Sequence, residues 1–557
     1  MAASTITIRP SPIEIARAAA AAMPSEVSTR PLLGILGVVT GAGLVTLAGR
    51  MLSLGMADLK GHVGISLDDG AWLDSAFNAS LMFIGPFTVY LGGLLGPRRV
   101  LLFAAGLFAL SSFYLPFIHS YSLLVAALII AGLTSGTFYP LTLTFALRNI
   151  PLRYLPFTIA LYAVFVDGAV NLAPSLYGWY RDHLSWQWMF WGSAVIAPVM
   201  MICIYFGIPP APPRKKGGTV PSFAGFLYLS MGLALIFAAC QQGQRLDWWR
   251  SGVFNAWFWS GSFFLLCALI RRLRAPNPLV ALPYLLKWNT ILLGCLLFWF
   301  RFTLCTTIIL IPQSLAIRGF EADQIGPAII WSAIPLIPIA FIAALLLLRK
   351  VDPRLLFAAG LACTAFAAWL CSQYSTTWAA ENFYRTELLV GVGQAFAFIG
   401  LVGCIVLQAI FAGALAKAEW VLSFSAFFHV VRIFGGTIGA IYMGHFLAVR
   451  EKLHSNLLGL HVNAGNWITD QNIHAMTAGL YAKSSGIGAA SARAVDLIGA
   501  RVRLQAYSLS LIDGFLLLAW SCFCALIFVA LLRKSPLSYG DLSAMQHVPG
   551  AGKRSNR

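Results

Sequence analysis

Long apolar runs recur along the chain, separated by short polar stretches. Each run is close to the roughly 20 residues that a helix needs to cross a bilayer core. Windowed hydropathy places them at 32–56, 71–95, 100–117, 122–147, 154–176, 186–208, 222–241, 253–270, 290–314, 327–348, 355–373, 384–413, 420–446 and 510–532. That is about fourteen spanning helices, and an even count puts both ends of the chain on one side. Residues 1–31 read as a polar tail with an Ala-rich stretch at Ala18–Ala22 and no cleavable signal. The pattern changes once more at 447–509, a long stretch between the last two spans. It holds two segments of helical periodicity, Ala448–Leu460 and Ala489–Tyr507, and reads either as a surface cover or as a docking element. The expected layout is an all-α polytopic membrane protein. Its parts are a first group of helices at 32–208, a linker with two spans at 209–289, a second group at 290–532 and a tail at 533–557.

Composition agrees: 59% of the 557 residues are hydrophobic and 10% are charged, against about 25% charge in a soluble chain. The net charge of +18 would suit a nucleic-acid partner if the basic residues formed one patch. They fall instead in alternate loops: Arg98 and Arg99; Arg148 and Arg153; Arg214–Lys216; Arg271, Arg272 and Arg274; Arg349, Lys350 and Arg354; Lys417; Arg533 and Lys534. The other loops carry few, chiefly Lys60, Arg181, Arg245, Arg250 and Arg318. The positive-inside rule therefore puts both termini in the cytoplasm, and the charge calls for no nucleic acid. The ten cysteines are scattered through apolar runs, and no His, Cys or carboxylate cluster has metal-ligand spacing. There is no GxxxxGK[ST] phosphate loop and no Gly-x-Ser-x-Gly elbow. The reading is a non-enzyme without metal or cofactor, in which any active transport draws on an ion gradient.

Ionisable residues inside the spans carry the chemistry. A carboxylate at bilayer depth costs about 2.5–3.5 kcal/mol on insertion scales, so such groups face a protein interior or a watery path. Asp167 lies mid-span in Leu155–Trp179, with Asn171 one turn later and Pro174 beyond. Arg301 is near mid-depth in the ninth span, and His429 and Arg432 are well inside the thirteenth. Arg50, Asp74 and Glu387 sit nearer predicted ends, where a side chain can reach the interface. A structural ion pair is the plain alternative for Asp167 and Arg301, and a satisfied core histidine for His429. A proton carrier needs a group whose affinity for the proton changes, and Asp167 beside a movable Arg301 would supply one. Spacing alone leaves open whether the two are neighbours. One internal repeat stands out: LLFAAGL occurs at Leu101–Leu107 and Leu355–Leu361, each shortly after a Pro-Arg turn.

Several stretches together resemble the fourteen-helix drug:proton antiporter branch of the major facilitator superfamily, of the EmrB/QacA type. They are Trp72–Phe77, Ser185–Phe190, Leu246–Trp248, Asn277–Val280, Leu310–Gln313, Arg432–Gly439 and the long 447–509 segment. The resemblance implies two six-helix bundles related by a parallel repeat, plus two intervening helices. It also implies proton-coupled efflux of small hydrophobic or amphipathic compounds across a bacterial inner membrane by alternating access. A periplasmic adaptor protein and an outer-membrane channel would be partners. The family's coupling motifs are altered here. The Gly-x-Leu-x-Asp-Arg loop becomes Gly92-Gly93-Leu94 then Gly96-Pro97-Arg98-Arg99, without its acid. The Arg-x-x-Gln-Gly pattern becomes Leu128–Gly132, and Gly-Pro-x-x-Gly-Gly becomes Ala173-Pro174-Ser175-Leu176-Tyr177-Gly178. Asp167, Arg301, His429, Asn171, Glu387, Asp74 and Arg50 are therefore candidates for proton coupling or the substrate path on depth and chemistry alone. Pro174, Gly178, Arg432, Arg98 and Arg99 are candidates for structural or gating roles. The altered motifs leave two other readings open: a carrier for one metabolite with different coupling, and a transport-inactive sensor or scaffold.

Overall fold

In hydrocarbon every backbone N–H and C=O must be satisfied within its own segment, so each apolar run closes into a helix. The computed structural model describes residues 29–209, 223–274, 285–411, 418–463 and 465–546, together with Glu14. Ala18–Ala22, Arg214–Lys216, Asn277–Val280 and Lys417 lie outside the described residues. Thirteen helices among the described residues are long and apolar enough to cross a membrane. A further helix, Leu67–Leu95, holds the place of the second predicted span with 29 residues.

The first bundle comprises α1 (Thr29–Leu54), a short α2 (Met56–Val63), α3 (Leu67–Leu95), α4 (Pro97–Tyr114), α5 (Tyr121–Ser135), α6 (Phe138–Asn149), α7 (Leu155–His183) and α8 (Trp188–Gly207). The intervening pair is α9 (Phe223–Gln242) and α10 (Gly252–Arg274). The second bundle comprises α11 (Trp288–Thr303), α12 (Ile311–Ala316), α13 (Ala322–Ile329), α14 (Leu336–Leu348), α15 (Pro353–Cys371), α16 (Ala380–Phe411) and α17 (Ala418–Gly459). It continues through α18 (Trp467–Tyr481) and α19 (Ile487–Leu531), and α20 (Tyr539–Gln546) follows. Two sets of contacts join the bundles: α7 lies against α13, α14 and α16, and α17 lies against α3 and α6.

Prolines set several breaks. A five-residue π turn, Thr306–Leu310, separates α11 from α12, where Pro312 sits in the first turn and supplies no N–H. Pro335 directly precedes α14, and Ile330–Ser332 forms a 3₁₀ turn after α13. The segment at 447–509 is mostly helix. The last two spans run straight on, α17 to Gly459 and α19 from Ile487, with α18 packed on α19. The helical periodicity of Ala448–Leu460 and Ala489–Tyr507 belongs to these extensions.

The two LLFAAGL copies fall on α4 and α15, whose buried positions match in a register other than that of the heptad. Pro97 and Pro353 both open their helices. Aligning them pairs Val100 with Leu356, Leu101 with Phe357, Ala104 with Gly360, Ala105 with Leu361, Phe108 with Thr364 and Ser112 with Ala368. Every one of these residues is buried. The LLFAAGL copies are out of step with this pairing: Phe103 is 75% exposed and its heptad counterpart Phe357 is fully buried. Equivalent burial, rather than identical letters, marks the equivalent positions.

The same turns differ in their charge. Asp352 caps α15, accepting from the Arg354 N–H at 3.0 Å and pairing with the Arg354 guanidinium at 2.8 Å. Gly96 stands before Pro97 where Asp352 stands before Pro353. Burial opposes the Asp352 charge, but hydrogen bonds and the charge of Arg354 hold its carboxyl below the ordinary range. A carboxyl held low stabilises the fold above its unfolded pKa, and the contribution is lost as pH falls through the folded value. Asp352→Ala should cost about 1–2 kcal/mol at neutral pH. Thermal unfolding of the purified protein across a pH series should show this gap closing toward acid.

Candidate functional site

α7 buries one face along its length. Ile159, Ala163, Val166, Asp167, Val170, Asn171, Pro174 and Gly178 all lie on it, at spacings of three and four residues. This places Asp167 and Asn171 one above the other on the face that meets the second bundle. Asn171 donates from Nδ2 to Oε1 of Gln394 on α16 at 2.8 Å, a buried bond between the bundles. Asp167 is fully buried, and neither of its oxygens accepts a hydrogen bond among the described residues. Both Arg301 and Arg432, which come from the second bundle, act on it electrostatically. Asp167 and Arg301 thus lie within electrostatic reach of each other across the seam, without an ion pair within 4.0 Å among the described residues.

Arg432 is held in place by two tyrosines of the first bundle. It donates to the Tyr139 hydroxyl at 2.6 Å and to the Tyr162 hydroxyl at 3.1 Å, and its guanidinium lies 3.8 Å from the Tyr139 ring centre. Tyr139 is also hydrogen-bonded to Thr46 of α1. The His429 ring packs on Tyr139 with 5.5 Å between centres, and it fits because position 85 has no side chain. A Cβ there would come within 2.5 Å of the imidazole. Arg301 packs against Gly435 and Gly436 of α17, with its Cβ beside the first and its Nε and Nη2 beside the second. Its Nε and Nη1 are buried and donate to no group among the described residues. These side chains line a cavity of about 70 Å³ with Phe300, Phe398, Val402 and Phe428, enough for a few water molecules.

At the end of the seam that carries Arg181, the bundles meet without a gap. A Cβ on Gly178 would lie 2.8 Å from Asp323 Cα, and one on Gly326 would lie 2.6 Å from Ser175 Cα. Arg181 bridges to Glu321 and lies 3.8 Å from Asp323. Arg50 adds a bond from Nη2 to the Ile308 carbonyl in the π turn, at 3.1 Å. Toward the opposite end a second, apolar cavity of about 30 Å³ lies among Val38, Val39, Thr142, Ile159 and Val406. Tyr162 and Val402 line both cavities. Among the described residues, space thus continues from the centre away from Arg181.

Two helical bundles facing each other across a polar seam narrow the choice of family, and the sequence settles it. The pattern of the Major Facilitator Superfamily matches residues 38–440. The chain belongs to the Major Facilitator Superfamily. Among curated relatives it is 23% identical to the multidrug export protein EmrB of Haemophilus influenzae over 421 residues, covering 75% of this chain and 81% of that one. It is also 23% identical to EmrB of Escherichia coli K12, covering 86% of this chain and 91% of the relative. Among solved structures, the proton:xylose symporter XylE superposes with a TM-score of 0.53 at 12% identity, covering 93% of this chain and 99% of that one.

The other sequence-predicted residues fall away from the centre of this superfamily member. Asp74 anchors the intervening pair: it accepts from Gln241 Nε2 at 2.5 Å and from Asn78 Nδ2 at 3.1 Å. Gln242 bonds Ser75 at 2.5 Å and Arg245 pairs with Asp68 at 3.0 Å, so α9 is tied to α3 by a polar ladder. α9 meets α17 through Phe237 on Phe434, rings 5.5 Å apart. Asp74→Asn should therefore retain at least about half of wild-type transport, since the amide still bonds Gln241. Transport assays at matched protein levels check this, and a loss as deep as for Asp167→Asn would return Asp74 to the coupling machinery.

Glu387 is fully buried within the second bundle, near Ser332 and Cys371, and does not line the central cavity. Arg98 stacks over Tyr205 at 4.6 Å, and Arg99 is exposed. Pro174 and Gly178 lie on the buried face of α7, one turn apart, and Gly178 makes the close contact with α13. Sequence reasoning did not pick out Tyr139, Tyr162 and Gln394. The available signal was the need of a buried Arg432 and a buried Asn171 for partners on a facing helix.

Proposed function

We propose that this protein is a proton-coupled efflux transporter for small hydrophobic or amphipathic compounds, of the multidrug type for which its EmrB relatives are named. It works by alternating access in a bacterial inner membrane, with both termini in the cytoplasm. Arg98, Arg99, Arg349, Lys350, Arg354, Arg533 and Lys534 support that orientation, because they gather at one end of the bundle. On this reading the Arg181 end faces outward and is shut, and the cavity leads toward the cytoplasm.

The observation that carries the proposal is the charge cluster at the seam. Asp167 belongs to the first bundle, while Arg301 and Arg432 belong to the second. A charged Asp167 attracts both arginines and draws the bundles together at mid-depth. A proton on Asp167 removes that attraction and leaves hydrogen bonds to neutral acceptors across the seam, from Asn171 to Gln394 and from Arg432 to Tyr139 and Tyr162. One protonation step thus changes the energy of a contact that rocking must break, as coupling requires. Substrate-induced proton movement in everted vesicles tests the proposal. None across a broad panel of compounds, with the protein present, would remove it.

The helical extension at 447–509 suits a periplasmic adaptor, itself joined to an outer-membrane channel. Val449, Leu453 and Leu457 recur at helical spacing on the α17 extension, Leu460 follows just past its end, and each is at least 42% exposed. Changing Leu453 and Leu457 to Asp should abolish co-purification with an adaptor and leave vesicle transport within about twofold. Co-purification of the double variant at the wild-type level would place the contact elsewhere.

A further inference from the structure

We propose that the central cavity selects amphipathic monoanions, molecules with a carboxylate- or sulfonate-like head and an aromatic or aliphatic body. This rests on the reading of that cavity as the transport path, and it names the class of compound carried. The first observation is a charge count. Two guanidiniums line the cavity, Arg301 and Arg432. Asp167 is the one carboxylate among the charges acting on both of them. With Asp167 ionised the cluster is one negative charge short of balance. A monoanion closes that deficit, whereas a monocation would double the excess positive charge in a poorly solvated space.

The second observation is the state of the donors. Arg432 is engaged by Tyr139 and Tyr162. Arg301 is not: its Nε and Nη1 are buried and donate to nothing among the described residues. Both belong to one permanently charged guanidinium, and each leaves a charge-assisted donor for an anionic oxygen. Gly436 leaves room at one edge of the guanidinium, since a Cβ there would lie 3.3 Å from Nη2 and 3.5 Å from Nε. The third observation is the wall: Phe300, Phe398, Val402 and Phe428 offer an apolar body nothing polar to bond. An anionic head on Arg301 and a ring against these side chains would occupy the cavity once the bundles part.

Tetraphenylborate and tetraphenylphosphonium share a shape and carry opposite charges, so they isolate the effect of sign. Binding of each to the full-length protein in nanodiscs, with empty nanodiscs subtracted, is the test. The wild type should bind tetraphenylborate at least about tenfold more tightly than tetraphenylphosphonium. Arg301→Gln should cut that preference to below about threefold, and Arg301→Lys should keep most of it, because charge carries the larger part. Equal binding, tighter binding of the cation, or an undiminished preference in a folded Arg301→Gln protein would overturn the assignment. The wild-type comparison decides the matter even where a variant does not fold. The two readings also fail separately. Gradient-driven export of neutral or cationic compounds without anion preference would sink this inference and leave efflux standing. Anion preference without any export would do the reverse.

Discussion

Asp167→Asn is expected to abolish proton-coupled export, by about a hundredfold or more, in a protein that still folds and reaches the membrane. The amide keeps the volume of the side chain and still suits a buried polar position. It removes the charge that Arg301 and Arg432 act on and the group that takes up a proton. Among the described residues, neither of the other two candidate carboxylates is acted on by these arginines. Glu387 is buried inside the second bundle beside Ser332, and Asp74 is bonded to Gln241 and Asn78. Resistance and vesicle transport at matched protein levels are the readouts. Activity within about twofold of wild type would mean that coupling lies elsewhere.

Gly178→Leu should have an effect of similar size through a different link. The first atom of the new side chain would press on the Asp323 backbone at 2.8 Å. Backbone cannot swing aside as a flexible side chain can, so the Arg181 end could close only by displacing α13. Gly326→Leu would do the same from the other bundle, against Ser175 Cα at 2.6 Å. Both variants should stay folded, lose transport, and hold the protein open at this end. A cysteine at position 175, in a background without the ten native cysteines, should then react faster with a membrane-impermeant thiol reagent than in the parent. Unchanged labelling together with normal transport would show that the contact is incidental.

These two predictions illustrate what the sequence disclosed and what it withheld. Span positions were legible because burial in hydrocarbon leaves a helix no alternative and apolar composition reports it directly. Asp167, Arg301 and Arg432 were legible one at a time, because each is a costly exception within a run. Their meeting was not, since α7, α11 and α17 are brought together by packing between bundles, which no local pattern encodes. Gly178 had survived in an altered motif, and its use became clear only when α13 was found against it. Asp74 and Glu387 sat nearer predicted span ends than Asp167, where they could have reached the interface, yet both are buried: one anchors an intervening helix and the other lies inside a bundle. The repeated LLFAAGL is out of step with burial, since Phe103 is exposed where its heptad counterpart Phe357 is buried, so identical letters did not mark positions of like environment.

The most direct test of coupling through the seam is substrate flux in proteoliposomes under an imposed pH gradient, comparing the wild type with Asp167→Asn. The wild type should drive flux that rises with the gradient and collapses when a protonophore is added, and the variant should show no gradient-dependent component. Wild-type flux indifferent to the gradient, or gradient-dependent flux that persists undiminished in Asp167→Asn, would contradict the account.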